Sequence, residues 1–279
     1  MFHRLTLAVA LVAALTLLLV GPAEAATPHR IISLSPTATE SLFAIGAGKQ
    51  VVAVDDQSDY PRRAPRTGLS GYTPNVEAIA GYRPDLVILS GNPNDVLGGL
   101  RKLGIRVLLQ PAVKDLAGTY AEIRQLGAVT GHTKSAKTLA NRMKSAIAKS
   151  VKSVPKRRLS VYHELDPTYY SATSQTFIGR IYKLFGLRNI ADAADSTASG
   201  YPQLSGEYII SQNPGLIVLA DTRCCGQSAA TVANRPGWSG VAAVRSHRVV
   251  GIDDSVASRW GPRVVNFVQA VANALKRKG

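Results

Sequence analysis

This 279-residue chain predicts an α/β fold of two lobes, each around a mostly parallel sheet, joined by one long bridging helix. Three observations carry the prediction. Segment 77–89 (EAIAGYRPDLVIL) has a partner at 207–219 (EYIISQNPGLIVL), so Glu207 follows Glu77, and Pro214 follows Pro84, at the same spacing of 130 residues. In each copy a short helical turn is stopped by proline and runs into an unbroken apolar strand of the kind buried on both faces of a parallel sheet. Between the copies, residues 132–154 contain neither Gly nor Pro and repeat apolar residues at helical spacing.

Taken in order, residues 1–25 read as a secretory signal peptide. A basic start (His3, Arg4) precedes an apolar run, Leu5 to Val20, that falls short of the roughly 20 residues needed to span a bilayer. Ala23, Glu24 and Ala25 supply a small-residue cleavage site, which predicts an extracytoplasmic protein. No Cys lies near this junction, so a lipid anchor is not expected. The first lobe, 26–131, opens with a strand at Arg30 to Leu34. A helix closed by Gly46 follows, then the first repeat copy, and then a helix and strand between Val96 and Leu109. The bridging helix, 132–154, places Ala136, Leu139, Ala140, Met143, Ile147, Val151 and Val154 on one face and would run about 34 Å. The second lobe, 155–279, repeats the plan: a strand at Arg158 to Tyr162, a helix closed by Gly186, the second copy, and a helix and strand between Trp238 and Ile252.

The net charge is +15, from 33 Lys and Arg against 18 Asp and Glu. The exposed face of the bridging helix carries Lys134, Lys137, Arg142, Lys144, Lys149 and Lys152 without an acid among them. A solvated face, or weak adhesion to an anionic envelope, explains this better than a nucleic-acid site. Catalysis has no foothold: the sequence contains no Gly-x-Ser-x-Gly elbow, no phosphate-cradling glycine loop and no His-Glu-x-x-His. The five His, at 3, 29, 132, 163 and 247, are too scattered for a metal cluster, so neither enzyme nor metal site is expected.

Cys224 and Cys225 are neighbours. Their Cα atoms must lie about 3.8 Å apart, inside the usual minimum of about 4.4 Å for a disulfide, so a strained ring and two free thiols both stay open. The pair follows the strand ending at Leu219, on the carboxyl side where open α/β sheets bind ligands. Loops on the same side hold Ser35, the stretch 55–61, Ser90 to Asn92, and Glu164 to Tyr170. Tyrosines are dense here and nearby: Tyr60, Tyr72, Tyr169, Tyr170 and Tyr201. Rigid aromatic bodies with polar tips suit a large, flat, partly polar ligand.

Taken together, RIISLSPTATESLFAIGAG (30–48), VVAVDDQSDYP (51–61), GYTPNVEAIAGYRPDLVILSG (71–91), VYHELDPTYYSATSQTFIGRIYKLFG (161–186), YPQLSGEYIISQNPGLIVLAD (201–221) and SRWGPRVVNFVQAVANAL (258–275) resemble the solute-binding proteins of ABC importers for cobalamin, haem and ferric siderophores. The likeness is strongest to the cobalamin-binding branch, through SDYP, LDP and YPQLS. The resemblance implies a monomer of two lobes joined by a rigid helix, a cleft that closes only slightly, no catalysis and no resident cofactor. It also implies that Glu77 and Glu207, one on each lobe, dock on arginines of a two-fold-symmetric permease. The ligand site it implies comprises Ser35, Gln57, Tyr60, Tyr72, Asp166, Tyr169, Tyr170, Tyr201, Arg223 and Arg259.

The sequence departs from the cobalamin pattern where Gln57 replaces an aromatic before SDYP, near Gly71, and in 255–259, which keeps Arg259 but not the aromatics. Cobalamin or a related corrinoid is the first expectation. Haem, with Tyr72 or His163 as iron ligand, and a siderophore, with Arg223, Arg259 and Arg263 as an anion basket, are alternatives. A secreted envelope protein that uses its charge to hold polyanions is a further one.

Overall fold

The computed structural model describes residues 26–155 and 158–277; the expected signal peptide, 1–25, lies outside them. The first lobe runs β1 (Ile31–Leu34), α1 (Pro36–Ile45), β2 (Val51–Val54), α2 (Val76–Gly81), β3 (Leu86–Leu89), α3 (Val96–Lys102), β4 (Arg106–Leu109) and α4 (Leu116–Val129). Helix α5 (Thr133–Lys152) crosses to the second lobe: β5 (Ser160–Glu164), α6 (Phe177–Lys183), β6 (Arg188–Asn189), α7 (Gly206–Gln212), β7 (Leu216–Leu219), α8 (Ala229–Ala233), α9 (Ala242–Arg245), β8 (Val249–Gly251), α10 (Asp254–Ser258) and α11 (Val264–Lys276). Each lobe holds one four-stranded sheet, in the orders β2-β1-β3-β4 and β6-β5-β7-β8, with every pairing parallel.

Strand register confirms that the halves are copies. Ile31 pairs with Leu86 and Val161 with Leu216, so both members of the central pair recur at a spacing of 130. At the next strand the spacing has grown to 142, with Val107 opposite Val87 and Val249 opposite Ile217. The outer strands differ on the other side too, Val51 opposite Ile31 and Asn189 opposite Val161 standing 138 apart, so the constant spacing belongs to the two central strands of each sheet. Strands β1, β3 and β7 are buried along their whole length, which is why they read as unbroken apolar runs.

Local chemistry sets the helix ends. Ser35 caps α1 by accepting the Ala38 N–H, Pro36 occupies its first position, and Gly46 closes it at φ 95°, where a side chain would be strained. Helix α5 runs from Thr133 to Lys152, about 30 Å, slightly inside the expected 132–154. It buries Ala136, Ala140, Met143 and Ile147, while Leu139, Val151 and Val154 pack half-buried at the margin. It is not a detached strut. One apolar cluster runs from β1, α1 and α4 through α5 to β5, α6 and α11, whose Val264, Phe267, Val268 and Val271 are fully buried. Two smaller clusters lie in the separate lobes. Among the described residues no helix is long and apolar enough to cross a membrane.

Candidate functional site

Between the lobes lies a cleft of about 620 Å³. The first lobe lines it with the loops after β1, β2 and β3 (Ser35 to Thr37, Asp55 to Asp59, Ser90) together with Arg66, Gly71 and Tyr72. The second lobe contributes Arg223 and Cys224 after β7, and Asp254 to Trp260 after β8. All of these except Arg66, Gly71 and Tyr72 lie just beyond the carboxyl ends of strands, where parallel sheets place their ligands.

The cleft is rich in carboxyl groups: Asp55, Asp56, Asp59 and Asp254 face Arg66, Arg223 and Arg259. Burial raises Asp55 above the usual carboxylate range, with Asp56 adding repulsion against the lowering effects of Ser58 and Arg259. Asp254 holds the cysteine loop, accepting the N–H groups of Arg223 at 3.0 Å and Cys224 at 2.8 Å and the Thr222 hydroxyl at 3.1 Å. Cys224 and Cys225 are joined as a vicinal disulfide on this loop, and both are exposed.

Ion pairs across the cleft tie the lobes together. Glu40, on α1 and 2% exposed, accepts from Arg259 at 3.0 Å and from Arg263 Nε at 2.9 Å. Asp59 accepts from Arg259 at 2.8 Å and lies 3.8 Å from Arg223, which bonds Asp253 of its own lobe at 3.1 Å. The Arg263 guanidinium lies 4.3 Å above the Tyr60 ring, and Trp260 donates its indole N–H to Glu122 at 2.9 Å. Burial pushes Glu122 up to about 6 despite that bond.

Five of the residues expected at the ligand site line this cleft: Ser35, Gln57, Tyr72, Arg223 and Arg259. Ser35 is 2% exposed and its oxygen is taken by the helix cap, while the Gln57 carbonyl accepts from Arg259 at 2.9 Å. Tyr72 stands 78% exposed at the mouth. Gly71 has a reason to lack a side chain: a Cβ there would lie 2.8 Å from Asp55 Oδ2 and 2.9 Å from the Leu34 carbonyl. Tyr60 lines an adjoining recess rather than the cleft.

The other four do not line it. The loop after β5 folds back on itself through Leu165 N–H to Tyr170 O and Tyr169 N–H to Asp166 O, and the Asp166 carboxylate caps Thr168. Tyr169 turns onto Trp238, ring centroids 5.9 Å apart, and forms a separate recess that also contains Glu207 and Arg235. Tyr170 and Tyr201 are exposed on the second lobe, beside the bridge between Tyr170 and Gln203.

Two expectations about alternative ligands are overturned by packing. His163 cannot reach iron: it is 0% exposed, bonded to the Tyr182 hydroxyl at 2.6 Å, and held neutral by burial, which lowers it to about 3. Arg259 and Arg263 form no free anion basket, because Glu40 takes both. Sequence reasoning missed Glu40, Asp253 and Asp254, and placed Asp59 only within the loop 55–61; Glu40 left one trace, an acid on a helix otherwise lined with small and apolar residues. Under the Tyr169 recess sits a second buried group. Arg235 grips Glu164 through two bonds of 2.6 Å, while neighbouring Asp221, 0% exposed, finds no donor among the described residues. Burial, and after it the charge of Glu164, raise the Asp221 carboxyl to about 7. No group of three or more His, Cys, Asp or Glu side chains among the described residues is arranged to hold a metal ion.

Comparison with known proteins places this architecture. The family model described as periplasmic binding protein matches residues 31–256. The ABC transporter substrate-binding lipoprotein YvrC of Bacillus subtilis is 32% identical over 89% of this chain and 80% of its own length. The cobalamin-binding protein of Halobacterium salinarum is 32% identical over 88% of this chain and 69% of its own length. Among solved structures, the periplasmic vitamin B12 binding protein BtuF of Vibrio cholerae matches with a TM-score of 0.73 at 26% identity, covering 89% of this chain and 97% of that one. The periplasmic heme binding protein HutB of the same organism shares the fold, with a TM-score of 0.78 at 24% identity over 88% and 98%. Two parallel-sheet lobes closing on a polar cleft, with the family match running through both of them, lead to one conclusion: the chain belongs to the periplasmic binding protein family of ABC importers.

Proposed function

We propose that the protein captures a corrinoid, cobalamin first, in the cleft between its lobes and delivers it to an ABC import permease. The observation that carries this reading is the pairing of an acceptor-rich cleft with exposed tyrosines. Tyr72 lines the cleft and Tyr60 the recess beside it, both with exposed rings, while the exposed Tyr170 and Tyr201 stand outside it on the second lobe. Exposed aromatic faces suit a flat macrocycle. A corrin ring is rimmed with primary amides, which donate N–H groups, and the cleft carboxylates of Asp55 and Asp56 offer acceptors. The same carboxylates would repel the propionates of haem and the anionic groups of a ferric siderophore. The sequence likeness to cobalamin binders points the same way.

Titrating the protein with cobalamin, cobinamide and haem, followed by calorimetry and absorbance, tests the proposal. Binding of a corrinoid at one per chain with Kd below about 1 µM, roughly −8 kcal/mol or better, is expected. Heat with haem alone would reassign the ligand. One observation favours that second reading: Tyr72 is free at the mouth of the cleft and could ligate iron. Glu77 and Glu207 are the proposed permease contacts. Each is the second residue of its helix, α2 or α7, just past a capping side chain (Asn75, Ser205), and each is exposed.

A further inference from the structure

Beside the cleft lies a second recess, of about 630 Å³, that shares Asp59, Arg66 and Arg223 with it and so adjoins the ligand space. Its charged walls are Arg62, Arg66, Arg223 and Arg263 against Asp59 and Asp253, and the Tyr60 ring completes it. The surrounding ion pairs decide which of these charges are available. Arg223, Arg259 and Arg263 are matched by Asp59, Asp253 and Glu40, three cations against three anions in one connected set. The carboxylate of Asp254 is occupied by the loop amides of Arg223 and Cys224 and by the Thr222 hydroxyl. Arg62 and Arg66 remain: both are exposed, and among the described residues neither has a salt bridge or a side-chain hydrogen bond. Neither sits on loose backbone. Arg62 lies within a turn closed by Ala64 N–H to Pro61 O at 2.8 Å, and Arg66 bridges to Val54 at the end of β2.

Two uncompensated guanidinium groups on anchored backbone, at the edge of a cleft otherwise lined with carboxylates, form a site for one anionic oxygen group. The cleft is thus divided by charge, with acceptors under the ring position and donors to one side. A ligand matching that division has a neutral or cationic, amide-bearing body and a single anionic appendage. We propose that Arg62 and Arg66 bind the phosphodiester of the corrinoid's nucleotide loop; this rests on the corrinoid reading above and adds to it a basis for telling complete corrinoids from incomplete ones. Cobinamide carries the same ring and amides but lacks the phosphodiester, so the two ligands isolate the recess.

The test measures Kd of the mature protein and of Arg62→Gln/Arg66→Gln for cobalamin and for cobinamide, at low and at high salt. The wild type should prefer cobalamin by about tenfold, ~1.4 kcal/mol. The double variant should lose that preference by weakening cobalamin about tenfold more than cobinamide, and high salt should erode the preference in the wild type. The nucleotide part alone, α-ribazole 3′-phosphate, should bind weakly and shift the arginine Nε–Hε resonances that disappear in the double variant. Equal weakening of both corrinoids, or no weakening of either, would overturn the proposal, as would α-ribazole 3′-phosphate leaving those resonances unmoved. Should neither corrinoid bind while haem does, the corrinoid reading fails by itself. The double variant then weakens haem if the recess holds carboxylates instead, and leaves it unchanged if the recess is no anion site at all. Should none of the three bind, the α-ribazole titration decides.

Discussion

Two buried titratable groups of the second lobe, His163 and Asp221, act on stability in opposite directions along the pH axis. His163, lowered to about 3 by burial, refuses a proton that the unfolded chain accepts near pH 6.5. Stability is therefore expected to fall as pH drops below about 6.5, and to go on falling until about 3. Asp221 is raised, first by burial and then by Glu164, so the folded protein holds a proton that the unfolded chain releases above about pH 4. It costs stability as pH rises from there. Asp221→Asn removes that cost and gives Glu164 an N–H donor, so melting at pH 8 should rise by the equivalent of about 2 kcal/mol, with the gain vanishing near pH 4. His163→Gln, which can still bond the Tyr182 hydroxyl, should flatten the acid limb. Melting curves of both variants from pH 4 to 8 check the pair, and a gain for Asp221→Asn that does not depend on pH would show that the Asp221 carboxyl is not raised. Both groups reveal how little of this a sequence shows: His163 stood out only as a lone histidine beside a strand, and its burial between Tyr182 and Phe267 is tertiary.

At the scale of elements, legibility follows sequence distance. The paired copies of helix and strand, the close of α1 at Gly46, and the bridging helix depend on spacing and on neighbours within a few residues, and those the sequence displays. The ties from Glu40 to Arg259 and Arg263 join residues 219 and 223 positions apart, and no periodicity encodes them. For the same reason the loop after β5 read as cleft wall: its place on the carboxyl side is a property of topology, but its folding back is fixed by contacts with Trp238 and residues 202–204. The packing of α4 on α5 was equally hidden. Gly127 sits in α4 where a Cβ would overlap the Ala136 Cβ and lie 3.1 Å from the His132 carbonyl. Gly to Ala within an exposed helix ordinarily stabilises by about 1 kcal/mol. Here the order reverses, and Gly127→Ala should destabilise by about 2 kcal/mol or more by forcing the two helices apart. Gly81→Ala, with nothing near its added Cβ, serves as the control in a denaturant titration. Equal effects from the two changes would mean that α4 and α5 pack less closely than they do here.

For the whole molecule, the shared core through α5 and α11, the Glu40 cluster and the Trp260 to Glu122 bond connect the lobes at several points. A molecule so tied has limited freedom to signal ligand capture by closing, so recognition by a permease must read surface features that the lobes hold at a fixed separation. Glu77 and Glu207, the proposed permease contacts, suit that need. Their helices start alike: a capping side chain accepts the N–H of the third helical residue, Glu follows at the second position, and a fully buried isoleucine, Ile79 or Ile209, anchors the turn to its lobe. Among the described residues neither Glu has a salt bridge, and Glu207 borders the recess of Tyr169, Trp238 and Arg235. One acid per lobe offers a partner with two arginine clusters a pair of charge-assisted contacts that set orientation and on-rate. Changing both Glu77 and Glu207 to Arg should abolish ligand uptake in cells, while the purified protein binds the same ligand within about twofold, ~0.4 kcal/mol. The single changes should each leave partial uptake, because one lobe can still dock. If the double variant transports normally, or loses ligand affinity severalfold in isolation, the two acids serve their helix ends through the backbone dipole and the permease reads another part of the surface.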